Sequence, residues 1–133
     1  MDGIVLTPLR RIAHPKGDVL HALKAQEPVF NGFGEAYFTT INYRMVKGWK
    51  MHRLMTMNLV VPLGHVRFHI RNLNGEACSY EIGTANYMRL TISPNRWVAF
   101  EGLADPSSLI LNVGDLEHDP YEALNEPLEK FPL

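Results

Sequence analysis

The chain has 133 residues with a net charge of −1 and 46% hydrophobic residues, which indicates one domain over residues 1–133 and excludes the basic surface of a nucleic-acid-binding protein. No apolar run approaches the about 20 residues that a membrane-spanning helix needs, and the N-terminal stretch has no apolar core typical of a secretory leader. Because the single Cys78 cannot form an intramolecular disulfide, we expect a cytoplasmic protein. Because the net charge is only −1, we expect it to bind neither nucleic acid nor an anionic membrane.

Short runs rich in alternating or β-branched side chains predict a β protein. The clearest is HVRFHIRN at 65–72, where Val66, Phe68 and Ile70 alternate with polar residues at a period of two. The predicted strands, in chain order, are 4–12, 35–43, 46–52, 55–62, 65–72, 77–83, 86–93, 96–101 and 107–113. Many short strands separated by Asn, Pro and Gly turns are typical of a sandwich or barrel.

Two segments have helical features. Residues 18–26 fit a short amphipathic helical turn or a strand equally well. Segment 118–128 places Asp119 as a candidate N-cap, Pro120 at the first helical position and Glu122 in the first turn, which resembles a capping box. The sequence therefore predicts an all-β, mostly antiparallel barrel with a short C-terminal helix.

Four further segments carry a family pattern. They are HPKGDVLHAL at 14–23, VKGWKMH at 46–52, LTISPNRWVAF at 90–100 and NVGDLEHDPYE at 112–122. In addition, the spacing of Lys50, His52, Met57 and Gly64 follows the first cupin motif. Together these segments resemble the dTDP-4-dehydrorhamnose 3,5-epimerase family and its short relatives, the sugar ketoisomerases. The resemblance implies a cupin-like double-stranded β-helix, which is a jelly-roll barrel.

Several positions depart from that family. The resemblance places Lys50 at the catalytic base histidine, Lys47 at a substrate-binding arginine, Val98 at a second histidine and Leu111 near a tyrosine acid. Metal-binding cupins need three or four converging His or Glu ligands. The resemblance places those ligands at Lys50, His52, Met57 and Val98 or Ala99, where only His52 keeps such a side chain. We therefore expect no metal and no other cofactor.

Lys50 and His52 are candidate catalytic residues because they lie two positions apart, so a strand points both side chains to one face. Removing a proton α to a carbonyl requires a base, a group that stabilises the enolate and a proton donor. Tyr43 and Tyr87, on neighbouring predicted strands, are further candidate donors. If Lys50 and His52 instead face outward from the barrel, they lie on its surface and their spacing does not indicate catalysis.

Basic and aromatic residues are candidate contacts for a nucleotide sugar. Lys16, Lys47 and Arg67 offer countercharge for a diphosphate, and Trp49 and Trp97 offer faces for stacking. Trp97 fits the core or an interface as well.

The leading hypothesis is a metal-independent carbohydrate epimerase or ketoisomerase that acts on a nucleotide-activated keto-deoxysugar. A non-catalytic cupin-like protein that binds a sugar or another small ligand is the alternative, and a metal cupin with unrecognised ligands is a third. We also expect a homodimer, in which GIVLTPLRRI at 3–12 adds a strand across the two-fold axis.

Overall fold

Twelve strands and one turn of 3₁₀ helix form the computed structural model, which describes residues 1–133. The strands are β1 (Ile4–Pro8), β2 (Arg11–Ile12), β3 (Val19–Leu20), β4 (Glu35–Asn42), β5 (Val46–His52), β6 (Met57–Leu63), β7 (His65–Asn72), β8 (Ala77–Gly83), β9 (Met88–Ile92), β10 (Arg96–Gly102), β11 (Ser107–Gly114) and β12 (Ala123–Asn125), and the 3₁₀ turn is Leu128–Lys130.

Two antiparallel sheets of five strands face each other. The first sheet has the order β1-β9-β6-β11-β4, and the second has the order β12-β5-β10-β7-β8. Strands β2 and β3 form a separate two-stranded ribbon. This arrangement confirms the predicted all-β jelly-roll fold.

Most strand positions were predictable. The predictions at 46–52, 65–72 and 77–83 coincide with β5, β7 and β8, whereas the run predicted at 4–12 is divided into β1 and β2. The segment at 18–26 contains the short strand β3 and no helix, and β12 was not predicted.

The C-terminal helix predicted over 118–128 is wrong. Asp119 does begin a turn, since its carbonyl accepts a hydrogen bond from the Glu122 backbone N–H at 3.1 Å. The chain then extends into β12 along β5, because the Glu122 side chain enters the barrel and pairs with His52. Helical geometry appears only later, as the single turn Leu128–Lys130.

The hydrophobic core lies between the two sheets and follows the period-two pattern of the strands. Val66, Phe68 and Ile70 of β7 are at most 1% exposed, and they pack against inward side chains of the first sheet such as Leu59 and Ile110. The structure contains no helix whose length and hydropathy would allow it to cross a membrane.

Candidate active site

A cavity of about 340 Å³ opens between the two sheets and is lined by strands β4, β6 and β11 of the first sheet and β5, β7, β10 and β12 of the second. Its apolar walls are formed by Met57, Leu59, Phe68, Val98, Phe100 and Ile110. Its polar and charged lining residues are Tyr37, Thr39, Lys47, Lys50, His52, Asn112, Asn125 and Glu126. Apolar walls with a few convergent polar groups are typical of a small-molecule site.

Strand β5 directs Lys50 and His52 into this cavity. Lys50 is the cross-strand partner of Val98, whose side chain belongs to the core, so Lys50 points to the same inner face. His52 lies two residues further along that face and is only 4% exposed. The structure thus brings the two predicted catalytic residues together at the cavity.

His52 is held by a carboxylate from a distant part of the chain. Its Nδ1 atom is hydrogen-bonded to Glu122 Oε1, and Glu122 is as buried as the histidine. The other carboxylate oxygen accepts the backbone N–H groups of Leu54 at 3.0 Å and Met55 at 3.3 Å. Burial raises the pKa of Glu122, but the hydrogen bonds from His52 and from these backbone groups outweigh it, so that the pKa lies below its ordinary value.

The ionised Glu122 determines the tautomer of His52. An ionised carboxylate only accepts hydrogen bonds, so the Nδ1 atom of His52 must carry the hydrogen. In the neutral ring, Nε2 then has the free lone pair, and no group of the protein donates a hydrogen bond to it. This arrangement is that of a general base oriented by a carboxylate.

Two lysines add positive charge to the cavity. Lys47 Nζ donates a hydrogen bond to the Thr40 carbonyl at 2.8 Å, which holds the lysine against β4. Lys50 lies between the apolar Val98 and the polar Asn125 on the strands that flank β5, and no carboxylate lies within salt-bridge distance of it. These ammonium groups can neutralise an anionic ligand or an oxyanion.

Arg67 and Trp97 lie on the outer face of the second sheet, away from the cavity. Arg67 forms ion pairs with Glu81 at 3.0 Å and Glu101 at 3.1 Å. The Trp97 ring lies 5.9 Å from the ring of Phe131 in the C-terminal tail. The inward position of their neighbours on β7 and β10 forces both residues outward, so neither can contact a ligand in the cavity.

Trp49 borders the cavity, but its indole ring packs on the outer face. The indole N–H donates to the Leu128 carbonyl at 3.1 Å, and the ring meets Phe131 edge to face at 5.5 Å. Lys16 lies in an exposed turn that does not line the cavity. Of the predicted substrate contacts, only Lys47 therefore presents its side chain near the cavity.

Neither predicted tyrosine lines the cavity. Tyr43 is 38% exposed, with the Arg44 guanidinium over its ring. The Tyr87 hydroxyl donates to the His21 carbonyl at 2.8 Å, and burial raises the pKa of Tyr87 against the opposing effect of Arg11. The tyrosine of the cavity is Tyr37 instead.

Three residues of the site were missed. The alternation of β4 would have placed Tyr37 on the same face as the apolar Ile41, but nothing marked that face as the inner one. Glu122 was interpreted as part of a helix start, and Asn112 stands in an apolar run without any motif. Their roles depend on contacts between distant segments.

Comparisons with family models and with curated proteins found no match. Among solved structures, a dTDP sugar isomerase from Desulfovibrio desulfuricans G20 is 33% identical, with a TM-score of 0.93 over 97% of this chain and 87% of that chain. The chain belongs to the dTDP-sugar isomerase family. Membership makes it an isomerase and confirms the resemblance to sugar epimerases and ketoisomerases.

Two other solved structures share the fold of this isomerase at lower identity. The dTDP-4-dehydrorhamnose 3,5-epimerase from Sulfolobus tokodaii is 16% identical, with a TM-score of 0.84 over 100% of this chain and 82% of that chain. A variant of the 3,4-ketoisomerase QdtA from Thermoanaerobacterium thermosaccharolyticum, in complex with TDP-4-keto-6-deoxyglucose, is 16% identical with a TM-score of 0.80 over 93% of this chain and 88% of that chain.

Proposed function

We propose that this isomerase epimerises or ketoisomerises a nucleotide-activated 4-keto-6-deoxysugar by metal-independent removal and return of an α-proton. The observation that carries the proposal is the buried His52–Glu122 pair, whose free imidazole nitrogen belongs to a cavity with two lysines. A binding protein without catalysis has no need of a base that is oriented in this way. No three His, Cys, Asp or Glu side chains converge to hold a metal ion, and no step is therefore assigned to one.

His52 is the base in this mechanism. Its Nε2 atom accepts the proton from the carbon next to the keto group, and the ionised Glu122 stabilises the imidazolium that forms. The electron pair of the broken C–H bond moves toward the keto oxygen, which becomes an enolate. The ammonium group of Lys50, without a carboxylate partner, stabilises that negative charge.

The cavity suits the sugar better than the whole nucleotide. Its volume of about 340 Å³ lies at the lower end of the range for small-molecule sites, about 300–1,000 Å³. The deoxysugar would occupy the cavity, with its methyl group against the apolar walls. The diphosphate would lie near the exposed Lys47, and Lys16 has no place in this arrangement.

We also propose that the isomerase acts as a homodimer. Strand β1 pairs with β9 of its own chain and forms the edge of the first sheet, so its outer edge is free. The outer face of the same sheet exposes apolar side chains, among them Phe38 and Leu63 at 65% and 64% exposure. Large exposed apolar groups on one face are typical of an interface.

The function is tested by incubating the protein with dTDP-4-keto-6-deoxyglucose in deuterium oxide and following the ring protons by NMR. We expect the wild type to exchange a proton next to the keto group. His52→Asn and Lys50→Ala should each lower the rate by ~10²-fold or more, because they remove the base and the enolate contact. Tyr43→Phe is the matched control, since Tyr43 lies outside the cavity.

Undiminished exchange by His52→Asn, in a variant with the wild-type circular dichroism spectrum, would refute the assignment of the base. If the wild type broadens the ligand signals without any exchange, the protein binds the sugar nucleotide and does not catalyse this reaction.

A further inference from the structure

Strand β12 is a short edge strand that follows directly on the carboxylate partner of His52. It has three residues, Ala123–Asn125, and it pairs with β5 on one side while no strand lies on its other side. Glu122 immediately precedes it. Because such a short edge pairing opens easily, the position of the Glu122 carboxylate depends on what holds the segment at its two ends.

The N-terminal end of β12 is held by Arg53. The Arg53 backbone N–H donates to the Glu122 carbonyl at 2.9 Å, and the guanidinium donates to the carbonyls of Tyr121 and Glu122. These hydrogen bonds act on the backbone of Glu122 itself. This end of the segment is therefore fixed next to His52.

The C-terminal end is held by Trp49. The backbones of Trp49 and Glu126 exchange two hydrogen bonds, at 3.0 and 3.1 Å, and the indole N–H donates to the Leu128 carbonyl at 3.1 Å. Trp49 is only 1% exposed, so water does not compete for these bonds. The tail that follows β12 is thus attached to β5 through Trp49.

Phe131 keeps this tail over Trp49. Its ring meets the indole edge to face at 5.5 Å, lies 5.9 Å from the Trp97 ring, and has the Arg71 guanidinium 5.4 Å from its centroid. Arg71 also donates to the Pro132 carbonyl at 3.0 Å. Aromatic pairs and a cation over a ring stabilise a contact beyond the area that it buries. We call Trp49, Arg71, Trp97 and Phe131 the aromatic anchor.

We propose that Phe131 and Trp49 are positioning residues of the active site, because the aromatic anchor on the outer face of the second sheet holds β12 against β5, and β12 holds the Glu122 carboxylate on His52. Phe131 does not line the cavity, so it acts through Trp49 and β12. This inference rests on the proposed function, in which His52 is the base, and adds the C-terminal tail to the groups that orient this base.

Without the anchor, the segment is held at the Arg53 end only. The Glu122 carboxylate then leaves His52 for part of the time, and the neutral imidazole can adopt either tautomer. Only the tautomer with its hydrogen on Nδ1 has a free lone pair at Nε2. The fraction of molecules with a competent base therefore falls.

The test compares four variants in the tail with the wild type. Phe131→Ala removes the ring, Phe131→Leu removes it but keeps an apolar side chain, and Phe131→Tyr retains it. Lys130→Ala is the matched control, since Lys130 is an exposed neighbour outside the anchor.

Two measurements are made on each variant. Proton NMR in water reports the Nδ1 hydrogen of His52, whose bond to a buried carboxylate gives a separate downfield signal that is assigned by its absence in His52→Asn. Deuterium exchange next to the keto group of dTDP-4-keto-6-deoxyglucose reports the action of the base.

We expect Phe131→Ala and Phe131→Leu to lose the His52 signal and to slow deuterium exchange by about tenfold, because a catalytic group that leaves its productive position is costly. Their circular dichroism spectra should remain those of the wild type. Phe131→Tyr and Lys130→Ala should keep both the signal and the exchange rate.

Glu122→Gln separates positioning from general stability. If Phe131 acts through the Glu122 carboxylate, the double variant Phe131→Ala/Glu122→Gln should exchange deuterium within about twofold of the rate of Glu122→Gln alone. Effects that multiply in the double variant would overturn the inference, because Phe131 would then act independently of Glu122.

A wild-type His52 signal and wild-type exchange in both Phe131→Ala and Phe131→Leu would also overturn the inference. A wild type that shows the His52 signal without any exchange would refute the proposed function instead. In that case the His52 signal in Phe131→Ala still decides whether the anchor holds the His52–Glu122 pair, since this measurement needs no substrate.

Discussion

At the scale of single residues, Glu122 determines which ring nitrogen of His52 has a free lone pair. A histidine alone on a strand can adopt either tautomer, but the carboxylate on Nδ1 leaves Nε2 as the only nitrogen with a free lone pair. The carboxylate is in turn fixed by the backbone N–H groups of Leu54 and Met55. The proposed base His52 is therefore oriented by a carboxylate that the backbone in turn holds in place.

Replacing Glu122 by Gln should destabilise the protein by about 3 kcal/mol at pH 7, because the amide has one accepting oxygen, whereas the carboxylate uses two, one for His52 and one for the backbone N–H groups. The pKa of Glu122 is lowered in the folded state, so the ionised carboxylate contributes stability above the ordinary carboxyl pKa of 4.5. That contribution is lost as the pH falls through the lowered pKa.

Urea unfolding of the wild type and Glu122→Gln at pH 7 and at pH 3 measures this effect. The difference in the free energy of unfolding should be largest at pH 7 and should shrink at pH 3. A difference that stays constant between the two pH values would show that the carboxylate charge does not contribute.

At the scale of elements, β5 connects the cavity with the outer face of the second sheet. Its inner side carries Lys50 and His52, and its outer side carries Trp49, which packs against Phe131 of the C-terminal tail. Strand β12 and the tail pair with β5 at its edge, and the backbone of Glu126 exchanges two hydrogen bonds with Trp49. The C-terminal tail after β12 thus covers Trp49 on the outer side of β5, whereas Glu122, just before β12, reaches His52 on the inner side.

Gly48 allows β5 to approach β10 closely. A Cβ atom at this position would lie 2.4 Å from Ala99 Cβ and 2.7 Å from Ala99 Cα. We expect Gly48→Ala to lower the free energy of unfolding by about 1–3 kcal/mol through overpacking, measured by urea denaturation. Activity should fall too, because β5 carries Lys50.

Gly17→Ala is the matched control for Gly48→Ala. Both glycines have positive φ, +134° for Gly17 and +155° for Gly48, but the added Cβ at Gly17 meets nothing within 4 Å. Equal destabilisation by the two substitutions would mean that the backbone conformation, and not the contact with Ala99, is responsible.

At the scale of the whole molecule, the two sheets have different outer faces. The second sheet carries the ion pair of Arg67 with Glu101 and a hydrogen bond between His69 and the same carboxylate, and it is covered in part by the tail. The first sheet has an apolar row in which Leu111 pairs with Phe38 on one side and with Val60 on the other. The asymmetry favours the first sheet as the contact between two copies.

We expect the wild type to sediment as a dimer, and Phe38→Glu to sediment as a monomer, because the substitution places charge in a desolvated contact. Analytical ultracentrifugation measures both. Val5→Lys is the second variant, since Val5 lies on the same outer face at its β1 edge. If Val5→Lys dissociates the dimer and Phe38→Glu does not, the contact lies at the β1 edge of the face, and a monomeric wild type would refute the homodimer.

The sequence by itself determined most of the long strands and the family resemblance. The period of two in HVRFHIRN and its neighbours follows from the backbone geometry of a strand, which is local, and β5, β7 and β8 were located to the residue. It also selected Lys50 and His52, since the short segment VKGWKMH carries both the family resemblance and the spacing.

Only the tertiary structure decided which face of each strand became the inner one and which distant groups meet there. In the sequence, Glu122 fits the start of a helix. In the structure, its side chain enters the barrel and pairs with His52, which is 70 residues away in sequence. Arg67 and Trp97 are plausible ligand contacts from the sequence, but they lie on the outer face of the second sheet because their neighbours on β7 and β10 fill the core. The local sequence pattern determines that side chains alternate between the two faces of a strand. The packing of the two sheets determines which face points into the cavity, and the chemistry of the cavity depends on that choice.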